Sequence, residues 1–153
     1  MTGRTKREVS PIPKGHHTVT TYLTVPGVDR LIDFIQKAFN GQVIFRMDGP
    51  HGTVAHAEMK IGDSMVMMGD PRGEFPARPC NIYLYVENVD EVYQRAVQAG
   101  GKSLRPVENQ FYGDRGGGVE DPCGNQWWIS THVEDVSTEE LQRRMAALKP
   151  GQH

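Results

Sequence analysis

The segment YLTVPGVD at residues 22–29 is repeated, 61 positions later, as YLYVENVD at residues 83–90. A second match follows each copy. Gly62-Asp63 corresponds to Gly124-Asn125 at a shift of 62. Matches at nearly one period between distant segments indicate two copies of one structural unit. The order of predicted helices and strands around each copy supports this interpretation.

The first copy lies in a pattern of strand, helix and further strands. Apolar and polar residues alternate over residues 19–25, which predicts a half-buried strand, and apolar residues then recur at helical spacing over residues 28–39. Asn40-Gly41 predicts the end of this helix, because both residues tolerate a positive φ. Three further strands are predicted at residues 43–47, 54–61 and 65–68.

The same order of elements recurs around the second copy. Alternation over residues 81–86 predicts a strand, and a helical stripe over residues 89–97 ends at Gly100-Gly101. Three more strands are predicted at residues 102–108, 112–120 and 127–132. We therefore predict an α+β fold of two tandem βαβββ modules that form a curved mixed sheet around a trough, followed by a short C-terminal helix.

The alternation of side chains along each strand predicts which residues face the helices and which face the trough. The helix-facing set is Thr21, Leu23, Val25, Ala55, Ala57, Met59, Ile61, Ile82, Leu84, Val86, Trp127 and Ile129. The opposite set is Thr20, Tyr22, Thr24, His56, Glu58, Asn81, Tyr83, Tyr85, Trp128 and Ser130. The opposite set mixes aromatic and polar groups, which suits a ligand trough, although a solvated face or a dimer interface would show the same pattern.

The domain boundaries follow from these patterns. We expect a flexible N-terminal tail at 1–15, one domain at 16–135 and a C-terminal helix and tail at 136–153. Module one is assigned to residues 17–70 and module two to residues 80–133. The C-terminal helix is predicted by the capping-box spacing of a serine and a glutamate, Ser137 and Glu140.

Composition excludes several classes of protein. The chain of 153 residues is 37% hydrophobic and has a net charge of −2, so a strongly basic nucleic-acid binder is excluded. No apolar run approaches the ~20 residues of a membrane helix, and no membrane partner is expected. Cys80 and Cys123 are too few for a disulfide scaffold, which favours a cytoplasmic location.

Several motifs have both a structural and a functional interpretation. Asp114-Arg115 is either a structural ion pair or a charge for the ligand at the rim of the trough. Gly116–Gly118 is either a loop in which glycine permits unusual backbone conformations or a lid over the trough. His16-His17 is expected to be exposed. Val66 and Met68 are expected in the core, with the trough as the alternative.

Four stretches resemble one known family. They are HAEMKIGDS at residues 56–64, FYGDR at 111–115, VEDPCG at 119–124 with Trp127, and THVEDVS at 131–137. With the paired modules, they resemble the vicinal oxygen chelate superfamily of glyoxalases, bleomycin-binding proteins and dioxygenases, and more narrowly its PhnB-like branch. The chain departs from that branch at Gly116–Gly118, at Cys123 and at Asn125.

The resemblance implies a place for a metal, because catalytic members hold a divalent cation with His, Glu or Gln from the first and last strands of each module. The corresponding positions here fall at Thr20, Val66, Asn81 and Trp128. These side chains cannot supply the charge and lone pairs that such a cation needs. We therefore expect no metal and no cofactor.

The sequence predicts metal-independent binding of a small aromatic or cationic molecule, and the resemblance to bleomycin-binding proteins implies drug sequestration as one use. The expected ligand-binding residues are Tyr22, His56, Glu58, Tyr83, Tyr112 and Trp128. Two alternatives stay open, a metal-dependent lyase, isomerase or dioxygenase and a non-catalytic dimeric regulator, and no catalytic residue is assigned. A homodimer is expected because relatives are usually dimeric, with the trough formed either within one chain or across swapped modules.

Overall fold

The computed structural model describes residues 9–148 and contains two modules with the same element order. The first comprises β1 (Thr21–Thr24), α1 (Val28–Phe39), β2 (Gln42–Asp48), β3 (Val54–Ile61) and β4 (Ser64–Gly69), with a 3-10 turn at Pro50–Gly52. The second comprises β5 (Asn81–Tyr85), α2 (Val89–Gln98), β6 (Lys102–Asn109), β7 (Asp114–Glu120) and β8 (Gln126–His132), and α3 (Thr138–Ala146) follows it. The predicted α+β fold of two tandem βαβββ modules is confirmed.

Each module has its own four-stranded mixed sheet. The strand orders are β1-β4-β3-β2 and β5-β8-β7-β6, so the first strand of each module lies at an edge. That strand runs parallel to its neighbour, whereas the remaining pairs are antiparallel. The two sheets are therefore copies of one topology, as the sequence period predicts.

Hydrogen bonds and backbone conformation at the helix ends explain where the two main helices begin and end. The Gly27 N–H, just before α1, donates to Asp70 Oδ1 at 2.8 Å, and α1 ends at Asn40 in the left-handed conformation with φ 54°. Asn88 caps α2 by accepting a hydrogen bond from the Glu91 N–H at 3.2 Å. One apolar face of α1 is fully buried against the first sheet.

The two modules pack together through their helices. The Arg95 guanidinium on α2 donates to the Ala38 carbonyl on α1 at 2.9 Å, and the Phe39 ring lies 4.7 Å from the Trp127 ring of β8. Both helices therefore lie between the two sheets. It follows that the open faces of the sheets, which carry no helix, point away from each other.

A β-bulge corrects the predicted side-chain parity in β3. The register between β2 and β3 shifts so that Met47 pairs with His56 while Asp48 pairs with Val54. The extra residue is Ala55, and it faces the open side together with Tyr22 rather than facing α1 as predicted.

The apolar strand residues Val66 and Met68 belong to the core, 6% and 0% exposed, so the trough interpretation was wrong for both. Gly116–Gly118 lies inside β7 and not in a loop, so the lid interpretation was also wrong.

The C-terminal helix forms where the sequence predicts it. The Ser137 hydroxyl accepts a hydrogen bond from the Glu140 N–H at 3.2 Å. Arg144 ties α3 to the body by donating to the Phe111 carbonyl at 3.0 Å and pairing with Glu134. In the described range 9–148, no helix is long and apolar enough to cross a membrane. Most of the predicted N-terminal tail and the last five residues lie outside the described residues.

Candidate functional site

The first open face carries a cluster of aromatic and ionisable side chains. The Tyr22 ring stacks on the His56 ring with 5.6 Å between centroids, and the Tyr22 hydroxyl lies 3.2 Å from His56 Nδ1. Glu58 is flanked by His16 Nε2 at 2.7 Å and His56 Nε2 at 3.7 Å. The structure thus brings together three of the six predicted ligand-binding residues, namely Tyr22, His56 and Glu58. We call this group the first cluster.

His16 was predicted to be merely exposed, and this was wrong. Its side chain is 11% exposed and reaches Glu58 on β3. The contact joins residues 42 positions apart, so no local sequence pattern could have indicated it.

The second open face carries the other three predicted residues. Tyr83 and Trp128 are direct partners in the parallel pair of β5 and β8, and Tyr112 lies close enough to Tyr83 to add to the rise that burial causes in the pKa of Tyr83. The Trp128 ring lies against Gly118, where an added Cβ would meet ring carbons at 2.4 Å. Arg105 approaches the same ring, 5.9 Å from its centroid. Trp128 is therefore a flat aromatic surface on the open face.

Asp114 organises the polar part of this face and is 3% exposed. It accepts hydrogen bonds from the Tyr83 hydroxyl at 2.8 Å, from the Tyr85 hydroxyl at 3.0 Å and from His132 Nδ1 at 2.9 Å. The Ser130 hydroxyl completes the group by donating to the Tyr83 oxygen at 2.8 Å. We call this group, with Trp128 and Tyr112, the second cluster.

The second cluster fixes the protonation states of its members. Burial raises the pKa of the Asp114 carboxyl, but hydrogen bonds from His132, Tyr83 and Tyr85 outweigh burial, so that the net shift of this pKa is downward. Burial raises the pKa of Tyr83 far above its usual value, and the bond to Asp114 adds to the effect. At neutral pH the site therefore presents a carboxylate and neutral phenols.

His132 is held between two carboxylates. Its Nδ1 lies 2.9 Å from Asp114 Oδ1 and its Nε2 lies 2.7 Å from Asp135 Oδ1. The hydrogen bonds to Asp114 and then to Asp135 raise the pKa of the imidazole. Only the protonated ring has two N–H donors, so this geometry favours the cation.

The sequence indicated Asp114, but it suggested the wrong partner. Asp114 does not pair with Arg115, whose guanidinium instead binds the Asp90 carboxylate of α2 through two bonds of 2.9 Å. The motifs FYGDR and THVEDVS contain Asp114 and His132, and they were the available signal for this cluster.

The two clusters are not in contact within one chain. They occupy open faces that point in opposite directions, and no contact found in the described part of the chain joins a member of one to a member of the other. A trough lined by all six predicted residues therefore requires a second copy of the chain.

A crevice lies between the sheets at their first-strand edges. Two adjoining cavities of about 420 and 730 Å³ are bordered by apolar residues of both modules, which include Ile61, Val66, Leu84 and Trp127. Leu84 points toward the helix layer, yet it is only partly buried. Apolar surface of this kind at two free strand edges is typical of an interface.

The side chains at the four positions that the resemblance implied for metal ligands are not suited to bind a metal ion. Thr20, Asn81 and Trp128 offer a hydroxyl, an amide and an indole, and Val66 points into the core. Within residues 9–148, no group of three or more His, Cys, Asp or Glu side chains is arranged to hold a metal ion. The Cys123 thiol is no better placed for chemistry, because burial raises its pKa to about 11.

Comparison with known families agrees with the fold and its duplication. Residues 14–129 match the family model of the Glyoxalase/Bleomycin resistance protein/Dioxygenase superfamily. The chain belongs to this superfamily. An uncharacterized protein of Mycobacterium bovis is 32% identical over 144 residues, which are 87% of this chain and 95% of that relative.

Two solved structures share the architecture of this chain. TioX from Micromonospora sp. ML1 superposes with a TM-score of 0.62 at 25% identity, covering 77% of this chain and 98% of TioX. A putative 3-demethylubiquinone-9 3-methyltransferase, PhnB protein, from Bacillus cereus superposes with a TM-score of 0.61 at 20% identity, covering 75% of this chain and 99% of that protein. The second likeness shows the fold alone.

Proposed function

We propose that this superfamily member binds a small aromatic or cationic molecule without a metal, in a trough completed by a homodimer. The observation that carries the proposal is the pairing of aromatic faces with a carboxylate in each cluster. In the first, Tyr22 stacks on His56, which lies beside Glu58. In the second, Tyr83 donates a hydrogen bond to Asp114, and Trp128 is the partner of Tyr83 in the sheet. Aromatic faces next to carboxylates favour planar and cationic ligands by about 0.5–2 kcal/mol per cation–π contact.

The homodimer is supported by the free edges of β1 and β5. Each of these strands has a neighbouring strand on one side only, and the free side of β1 carries just an isolated bridge from Thr24 to Arg78. In a symmetric dimer, the β1 edge of one protomer can meet the β5 edge of its partner. That contact would cover the crevice and bring a first cluster opposite the partner's second cluster.

Two narrower assignments belong to the same proposal. The PhnB-like branch is supported by FYGDR and THVEDVS, whose Asp114 and His132 form the centre of the second cluster. A cytoplasmic location is supported by Cys80 and Cys123, which are both free thiols.

Intrinsic fluorescence tests the binding proposal. The chain has two tryptophans, and Trp127 is fully buried whereas Trp128 lies on the open face. We expect planar aromatic cations and neutral aromatic compounds to quench the Trp128 emission saturably. The substitution Trp128→Phe should abolish the signal, and Trp127→Phe should preserve it.

The same protein tests the metal-dependent alternative. Thermal unfolding is measured with Ni²⁺, Zn²⁺, Mn²⁺ and Fe²⁺ at stoichiometric concentration. Unchanged unfolding temperatures together with saturable quenching support metal-independent binding. Stabilisation by one of these ions, or the absence of quenching by every aromatic compound tried, would contradict it.

A further inference from the structure

A cavity of about 310 Å³ opens on the first face, next to the first cluster. Its floor is made by Ala55 and Gly69, and its walls include Tyr22 and Thr24. A Cβ at Gly69 would lie 2.7 Å from the Tyr22 hydroxyl and 2.9 Å from the Ala55 carbonyl oxygen, so a glycine is needed there. The bulge at Ala55 and the glycine together create this space. The volume falls near the lower end of the ~300–1,000 Å³ typical of small-molecule sites.

The segment 70–78 crosses this face as a strap and is anchored at both ends. At one end, the two Asp70 carboxylate oxygens accept hydrogen bonds from the Gly27 and Val54 N–H groups, both at 2.8 Å. At the other end, the Arg78 N–H donates to the Thr24 carbonyl at 2.8 Å. The strap is therefore a fixed wall of the cavity.

Two side chains of the strap, Arg72 and Phe75, complete the cavity. They are partners in a β-bridge, with the Phe75 N–H donating to the Arg72 carbonyl at 3.0 Å. Phe75 is 71% exposed although it borders the cavity. The bridge therefore places these two lining residues side by side along the cavity.

The charge of Arg72 is not neutralised by the residues around it. Asp70 is the acidic residue of the cavity, and both of its oxygens are already bound to backbone N–H groups. Within the described residues, no ion pair or hydrogen bond of the Arg72 side chain is found. An unpaired guanidinium has a planar array of donors that matches a carboxylate.

We propose that this cavity binds the carboxylate end of a planar aromatic acid. The inference rests on the proposed binding function and narrows its aromatic ligands to those with an anionic group. Arg72 binds the carboxylate, while Tyr22 and Phe75 contact the ring and Gly69 leaves room for it. A cationic ligand would be repelled by Arg72 at this position, so the cavity discriminates between acids and amines.

Calorimetric titration with three probes of one shape tests the proposal. The probes are 2-naphthoate, 2-naphthalenemethanol and 2-naphthylmethylammonium. We expect the unmodified protein to bind naphthoate at least ~10-fold more tightly than the alcohol, as a charge-assisted bidentate contact allows. Arg72→Gln should remove this preference, because the guanidinium is lost while the ring contacts remain.

The matched control is Arg78→Gln, which removes an arginine of the same strap that does not border the cavity. It should leave the preference for naphthoate intact. Phe75→Ala should weaken binding of all three probes to a similar extent, since it removes a contact with the ring. Thermal unfolding of each variant verifies that the fold is retained.

The outcomes separate this inference from the broader proposal. Suppose that the ammonium or alcohol probe binds and quenches Trp128, while the affinity for naphthoate does not depend on Arg72. The carboxylate inference then fails and the binding function stands. Equal effects of Arg72→Gln and Arg78→Gln also overturn the inference. If none of the three probes binds, both the inference and the binding proposal are overturned.

Discussion

Asp121 shows how one buried carboxylate stabilises the second module. It is 4% exposed and accepts hydrogen bonds from Trp127 Nε1 at 2.8 Å and Asn125 Nδ2 at 2.9 Å. Asn125 in turn accepts a hydrogen bond from the Cys80 N–H at 3.0 Å, which ties the turn before β8 to the start of β5. The sequence identified Asn125 only as a departure from the family pattern, because its partner Cys80 lies 45 positions away along the chain.

We expect Asp121→Ala to lower the free energy of unfolding by roughly 3 kcal/mol, because the buried Trp127 and Asn125 donors would lose their acceptor. Asp33→Ala is the control, since Asp33 is an exposed residue of α1 whose carboxylate pairs with Lys37 on the same helix. That change should stay within about 0.5 kcal/mol. Urea unfolding measures both. Equal effects of the two substitutions would show that the buried network does not stabilise the fold.

His132 predicts a dependence of stability on pH. Its pKa is raised in the folded protein above the ordinary value of 6.5, first by the bond to Asp114 and then by the bond to Asp135. Its stabilising effect is therefore complete below pH 6.5 and is lost as the pH rises through the folded pKa. The pKa of Asp114 is lowered below 3.8, so its stabilising effect is present above that pH and is lost on further acidification.

We expect the unfolding temperature to fall as the pH rises from mildly acidic values to pH 9. The substitution His132→Gln should make this decrease smaller. Thermal unfolding at a series of pH values measures it, and proton NMR of the imidazole gives the pKa of His132 directly. His51→Gln is the control, because His51 lies in the exposed 3-10 turn. An NMR pKa for His132 at or below 6.5 would contradict the ion pairs seen here.

At the scale of elements, the strands and helices could be predicted more completely than the direction of their side chains. The period of 61 residues and the helical stripes fix the two modules, because both signals are local or repeated. The bulge at Ala55 depends on how β3 pairs with β2. The glycines of β7 are required by the side-chain and backbone atoms that pack closely against them. Such features follow from strand register, which a single sequence does not specify.

The glycine at 118 is explained by the ring of Trp128. A Cβ there would lie 2.4 and 2.6 Å from two ring carbons, so Gly118→Ala must displace the indole. We expect a cost of about 1–3 kcal/mol in the free energy of unfolding and a shift in Trp128 emission. In a Trp128→Ala background the same change should cost much less. An equal cost in both backgrounds would mean that the ring is not the cause.

At the scale of the whole molecule, the packing of the two helices decides where a ligand can bind. Because α1 and α2 contact each other, the clusters around Tyr22 and around Tyr83 face in opposite directions. The sequence predicted both groups of residues but left open whether one chain or two would form the trough. Inter-module packing involves contacts such as that between Phe39 and Trp127, which no repeat or periodicity encodes.

The proposed dimer predicts that a charge in the crevice separates the protomers. Leu84 lies in both adjoining cavities beside the free edge of β5. We expect light scattering to give a dimer mass for the unmodified protein and a monomer mass for Leu84→Lys. Val97→Lys is the control, because Val97 is an exposed apolar residue of α2 outside the crevice. A monomer mass for the unmodified protein would overturn the proposed dimer.

Complementation between two inactive variants decides whether each trough combines residues of two chains. Tyr22→Ala disables the first cluster and Trp128→Ala the second, so each homodimer should fail to show ligand quenching of Trp128. When both are co-expressed, a heterodimer with shared troughs regains one intact trough, from the Tyr22 of one chain and the Trp128 of the other. Random pairing then restores about a quarter of the original sites. If each trough belonged to a single chain, every trough in the mixture would carry a substitution, and co-expression would restore no quenching.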